Sequence, residues 1–139
     1  MNLEFVLEKV RNEPNFETFQ YKGYKCLIKR NPDLGNLNGY VGFPYGHRFY
    51  KKGNICDDFD DIEVHGGITF ANFWEDQKDG LWYLGFDTAH YMDLCPFMAM
   101  RDREFGIIYS QMDTTYKDIE FVRNEIKQLV DQIEEKQKA

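Results

Sequence analysis

The sequence predicts an α+β fold: an antiparallel sheet of about five strands, with a short N-terminal helix and a long C-terminal helix. Three observations carry this. Residues 16–30 read as strand, tight turn, strand around Lys22-Gly23. Residues 68–86 repeat that pattern around the turn QKDG at 77–80. The C-terminal stretch carries one apolar stripe at about 100° per residue.

The elements follow in order. Leu3, Val6, Leu7 and Val10 sit at helical spacing over residues 3–11, and Pro14 ends the pattern. FETFQY (16–21) and YKCLIKR (24–30) form the first hairpin. NPDLGNLNG (31–39) has loop composition, and Gly39–Phe43 is a third strand closed by Pro44. Residues 45–61 read as irregular, with one helical turn around Arg48–Lys51. ITFANFW (68–74) and LWYLGF (81–86) are the fourth and fifth strands, and residues 87–105 are again irregular. Thr115 can cap the last helix with Asp118 at the third position, which places that helix over 116–136. Its stripe is Ile119, Val122, Ile126, Leu129, Val130 and Ile133, expected to cover one face of the sheet. Phe121 falls nearly opposite the stripe, so it packs on a neighbouring loop or marks a self-association surface, which leaves a homo-oligomer open.

Length and composition narrow the function classes. A chain of 139 residues suits one domain, spanning 1–139, and can hold a core without a disulfide or metal. The hydrophobic share of 42% and charged share of 29% read as globular rather than disordered. No apolar run reaches the roughly 20 residues that span a bilayer, so no membrane partner is expected. Charges within the N-terminal pattern argue against a signal peptide. Cys26, Cys56 and Cys95 have no C-x-x-C spacing, which predicts structural thiols in a cytoplasmic setting; Cys95, beside Pro96 and near a histidine, is the one with a reactive alternative. No cofactor motif is present.

Net charge is −7, which speaks against broad nucleic-acid binding. The acidity is concentrated: Asp57, Asp58, Asp60, Asp61 and Glu63 lie within seven residues, which leaves about −2 for the rest of the chain. A local basic patch at His47-Arg48-Phe49-Tyr50-Lys51-Lys52 therefore remains compatible with an acidic protein. The acidic loop lacks the ligand alternation and glycine of an EF-hand and reads as solvated.

Aromatic residues make up 17% of the chain, and 14 of the 23 lie between Tyr40 and Phe97 with all three histidines. Three constellations stand out there. In GFPYGHRFY (42–50), His47 and Arg48 offer donors to an anion and Tyr50 a ring and hydroxyl. The alternative is a loop that plugs the sheet end, with His47 satisfied by a backbone carbonyl. In EVHGGITF (63–70), His65 stands beside Gly66 and Gly67, as an anion cradle or as a tight entry turn or bulge. In GFDTAHYMD (85–93), Asp87, His90 and Asp93 are spaced by three, suited to a metal or a general base, or to a turn cap and a buried histidine. No H-E-x-x-H motif supports a metal, and none is expected to be resident. The sole serine, Ser110, has no nucleophile-elbow context.

GHRFY (46–50), HGGITF (65–70), WYLGFDTAH (82–90) with Asp93 and Pro96, and YKDIEFVRNEIKQLVDQI (116–133) together resemble a family of small, mostly uncharacterised bacteriophage- and prophage-encoded proteins. The resemblance covers roughly residues 20–133 and leaves out the N-terminal helix. It implies a shared site at Gly46-His47-Arg48, His65-Gly66-Gly67, Asp87 and His90, in a host-cell cytoplasm. By association it implies an accessory role against host defences.

Three functions follow as expectations. The first is a non-catalytic pocket for a small anionic, nucleotide-like ligand, built from His47, Arg48, Tyr50, His65, Gly66, Gly67, Trp82, Asp87, His90 and Asp93. The second is an inhibitor that meets a basic host protein through the 57–63 acidic loop. The third is a metal-dependent phosphoester hydrolase using His47, His65, Asp87, His90 and Asp93.

Overall fold

The computed structural model describes residues 2–107 and 114–139. Its elements are α1 (Leu3–Asn12), β1 (Phe16–Tyr21), β2 (Tyr24–Arg30), β3 (Leu37–Phe43), β4 (Phe70–Phe73), β5 (Trp82–Phe86), α2 (Pro96–Glu104) and α3 (Ile119–Lys138). The five strands form one antiparallel sheet in the order β1-β2-β3-β5-β4. This is the α+β architecture that the sequence predicts.

The first hairpin has the expected bounds, because Lys22 and Gly23 both take positive φ and close it in two residues. Strand β3 starts two residues earlier than expected: Leu37 is buried and pairs with Arg30. Strand β4 is shorter than ITFANFW, since Gly66 and Gly67 turn the chain at one end and Trp74 leaves the ladder at the other.

Two helical boundaries also differ. Residues 96–104 form α2, not irregular chain. Only Pro96 and Ala99 of that segment are buried, so it has no apolar stripe to read, although Pro at the first turn is a helix-start signal. Helix α3 starts at Ile119, with Asp118 rather than Thr115 as its cap: the Asp118 side chain accepts from the Phe121 N–H at 2.9 Å. Lys9 at 2.7 Å anchors that carboxylate in turn.

The six stripe residues of α3 are all buried against one face of the sheet, with Cys26 and Ile28 of β2, Val41 and Phe43 of β3, and Leu84 and Phe86 of β5. Each such side chain contributes about 1.5–3 kcal/mol of burial. Phe49, Phe59 and Ile62, from the long β3–β4 connection, complete this core. A second apolar cluster joins α1 (Leu3, Val6, Leu7, Val10) to Ala99 of α2, Leu94 and Tyr116.

A buried polar node ties the two clusters together. Arg30, 4% exposed, donates Nε to Asn15 Oδ1 at 2.8 Å and Nη1 to the Gly35 carbonyl at 2.7 Å and Tyr116 Oη at 2.9 Å. Its Nη2 lies 3.2 Å from Glu13 Oε1. Glu13 also accepts from the Tyr116 hydroxyl at 2.5 Å and, through Oε2, from the Ile119 N–H at 2.9 Å. Arg30→Leu would leave the Glu13 carboxylate buried without its cation. We expect it to destabilise the protein by about 3–5 kcal/mol, read as a shift in the urea unfolding curve.

Candidate functional site

The structure sorts the sequence-predicted site residues into three places. His47 and Arg48 lie at the C-terminal end of α3. The His47 ring stacks on Phe43 at 4.6 Å, its Nδ1 accepts the Phe49 N–H at 3.1 Å, and its Nε2 lies 2.8 Å from Tyr24 Oη. Because Nδ1 is an acceptor, the ring proton sits on Nε2 and is donated to Tyr24, whose own proton goes to Glu134 Oε1 at 2.5 Å. Arg48 donates Nη1 to the Lys136 carbonyl at 2.5 Å and faces Asp58 at 3.7 Å. Both side chains therefore bind down the loop. The partner of His47 is a tyrosine and a backbone N–H, not the backbone carbonyl expected of the structural alternative.

His65, His90, Asp87 and Asp93 converge elsewhere. His65 Nε2 lies 2.8 and 2.9 Å from the two Asp93 oxygens, and Lys117 Nζ lies 3.0 Å from Oδ1. The His90 N–H donates to Asp93 Oδ2 at 2.9 Å. Burial alone would push the Asp93 carboxyl up. The bonds from His65, the His90 N–H and Lys117 outweigh it and hold the group below the ordinary carboxylate range. The His65 ring meets His90 edge-on at 5.8 Å and Phe121 at 5.2 Å, so Phe121 packs on this loop, as one of its two readings required.

His90 Nε2 is buried and lies 3.0 Å from Asp87 Oδ1, yet among the described residues it has no hydrogen-bonded partner, so the contact is an ion-pair distance without alignment. It presses on Gly66, where an added Cβ would sit 2.0 Å away. Gly66 thus supplies close approach as well as a φ of +68°, whereas Gly67 (φ +81°) faces open space. His65 touches Phe121, and Tyr24 beside His47 touches Glu134, thirteen residues further along α3. That separates the two histidine sites by about 20 Å.

Tyr50 and Trp82 form a third place. Phe73 links them, at 5.8 Å from the Tyr50 ring and 5.1 Å from the Trp82 ring, and Trp82 donates Nε1 to the Lys52 carbonyl at 2.8 Å.

The opposite face of the sheet holds a cleft of about 390 Å³ that the motif reading does not find. Lys29, Tyr40, Phe70, Asn72 and Trp74 line it, with Glu75 and Asp76 on its rim. Tyr40 meets Phe70 edge-on at 5.3 Å and Trp74 at 4.6 Å, and Lys29 Nζ lies 5.6 Å from the Trp74 ring. Strand pairing assembles it: Tyr40 and Phe70 both pair with Gly85, whose missing Cβ, which would lie 2.4 Å from Tyr40, makes room for the ring. The signal in the sequence was the period-2 placement of Phe70, Asn72 and Trp74, but the facing strand is not adjacent in sequence.

Among the described residues, no group of three His, Cys, Asp or Glu side chains is disposed to hold a metal ion. Nor, among them, is any helix long and apolar enough to cross a membrane. Burial pushes the Cys26 thiol to about 12; burial, with Asp93 and Asp87 nearby, pushes that of Cys95 to about 11, so neither is a reactive thiolate at neutral pH. In the acidic loop, Asp61 pairs with Lys136 at 2.6 Å and Asp58 with Arg48, so two of its carboxylates are answered within the chain. Ser110 lies outside the described residues. No family model, curated protein or solved structure matches the chain.

Gly66→Ala should destabilise the protein by about 1–3 kcal/mol and shift the His90 ring resonances. Gly67→Ala should cost less, and the pair is compared by urea unfolding and NMR. Burial pulls the His47 ring below its ordinary 6.5, the Glu134 charge opposing only in part. The unfolded chain then takes up a proton that the folded chain refuses, so stability falls as pH drops below about 6.5. The fall between pH 7 and pH 5 should be smaller in His47→Gln than in the parent, measured by urea midpoints at both pH values.

Proposed function

We propose that the chain is a non-catalytic binder of a small nucleotide-like ligand, held in the cleft on the open face of the sheet. The observation that carries this is the meeting of Tyr40, Phe70 and Trp74 around about 390 Å³ with a lysine at one side. Aromatic walls suit a planar heterocycle, whose stacking contributes about 1–3 kcal/mol per base. Lys29 is exposed beside the Trp74 ring, where its ammonium is available to a phosphate. Glu75 and Asp76 on the rim are acceptors for the exocyclic amine of an adenine- or cytosine-type base.

This reading keeps the small anionic, nucleotide-like ligand expected from the aromatic rings, the Gly-flanked histidines and Arg48, and moves its binding residues. His47 and Arg48 are committed to the fold, while Lys29, Tyr40, Phe70 and Trp74 take the contacts assigned to them. With the resemblance to phage-encoded accessory proteins, the ligand would be a host nucleotide signal, and holding it would blunt a host defence.

Calorimetry against nucleoside 5′-monophosphates tests the reading. Trp74→Ala should weaken binding about tenfold or more, and His47→Gln should leave it unchanged. If no nucleotide binds the parent protein, or if Trp74→Ala binds as the parent does, the cleft is not a nucleotide site.

A further inference from the structure

We infer that Asp87 reads the ribose hydroxyls of the ligand, so that the cleft selects ribonucleotides over deoxyribonucleotides. This rests on the reading of the cleft as a nucleotide site.

The placement comes from strand register. Tyr83 and Gly85 alternate onto the open face of β5, and Asp87 continues that series just past the strand's end. Gly39 pairs with Phe86, which sets Asn38 beside Asp87, and Asn38 pairs with Lys29. Lys29, Asn38 and Asp87 thus form one polar row across three strands, with about 4.8 Å between neighbours. The row borders the aromatic walls at Tyr40. Burial raises the Tyr40 hydroxyl, and the Asp87 charge adds to that rise, which places the carboxylate within electrostatic reach of the ring.

The carboxylate is fixed in advance and still has acceptor capacity. Thr69 Oγ1 donates to Oδ2 at 3.0 Å, and the Ala89 N–H donates to Oδ1 at 3.0 Å. His90 Nε2 reaches Oδ1 without hydrogen-bond alignment. Among the described residues, these two hydrogen bonds fill half of the roughly four lone-pair positions of a carboxylate. Asp87 stands just outside the cleft lining, and its side chain is 30% exposed, so the remaining positions are open to a ligand that extends out of the cleft past Tyr40. A ribose presents two vicinal hydroxyls, which are two donors suited to one carboxylate. With a base between the rings and a phosphate at Lys29, the sugar lies between them, along the row that ends in Asp87. A 2′-deoxy sugar gives up one charge-assisted hydrogen bond, and a 2′,3′-dideoxy sugar gives up both.

The test is calorimetry with adenosine and cytidine 5′-monophosphates in ribo, 2′-deoxy and 2′,3′-dideoxy forms. The parent protein should bind the ribo form about tenfold more tightly than the 2′-deoxy form, and the dideoxy form most weakly. In Asp87→Asn, and in Asp87→Glu as a second variant that keeps the charge but displaces the oxygens, the sugar preference should shrink towards unity while Trp74-dependent binding persists. Equal binding of the three sugars by the parent protein overturns the inference and leaves the nucleotide reading standing. So does a preference that survives in both Asp87 variants. Absence of binding by every form of both nucleotides overturns the nucleotide reading itself, and the inference with it.

Discussion

The buried pair of Arg30 and Glu13 is the constraint on which the arrangement of the chain depends. Arg30 stands at the end of β2, and Glu13 at the C-terminal cap of α1. Between them they engage Asn15, the Gly35 carbonyl, Tyr116 and the first N–H of α3. A charge with 3% side-chain exposure must have partners with good geometry, and the cost of leaving it unpaired is several kcal/mol. The partners come from three separate stretches of the chain. Satisfying them together fixes where α1 hands over to the sheet and where α3 begins, and it joins two apolar clusters that share no helix.

With its N-terminal end fixed there, α3 acts as a rail for the long β3–β4 connection. Arg48 and Asp61 hold Lys136, Gln132 exchanges hydrogen bonds with the backbone of Glu63, and Glu125 takes the His65 N–H. The connection therefore runs along the helix from its C-terminal end towards its N-terminal end. His47 enters at one end and His65 leaves at the other. The same geometry that buries Phe49, Phe59 and Ile62 keeps the histidines apart and makes His47 a structural group.

The two faces of the sheet consequently differ in chemistry. One is closed by α3 and that connection, and its polar groups are spent on each other. On the other, Tyr40, Phe70 and Trp74 leave a concave space beside the turn after β4. The crossing of the chain to the outer strand β4 before it returns to β5 is what sets Phe70 across Gly85 from Tyr40. The edge strand thus carries the cleft, and the strand next to it carries Asp87 at its end.

Local periodicity was sufficient for most elements. The two hairpins and the stripe of α3 are written in residues close in sequence, because turn chemistry and the 2.0 and 3.6 periods act over a few residues. Helix α2 escaped that reading because its burial is confined to Pro96 and Ala99. The cap at Asp118 escaped it because Lys9 and Glu13, far away in sequence, decide which residue ends the loop. Of the candidate site, the residue types offer His47, His65, Asp87, His90 and Asp93 as one possible set, but local pattern does not fix whether its histidines converge; the fold joins His65, Asp87, His90 and Asp93 in one cluster and leaves His47 out. That His47 and Arg48 stand apart, and that Lys29, Tyr40, Phe70 and Trp74 share a cleft, emerges once the strands are paired. The physical reason is strand order: which side chains face one another across a sheet depends on pairings between distant segments, and no local pattern records those pairings.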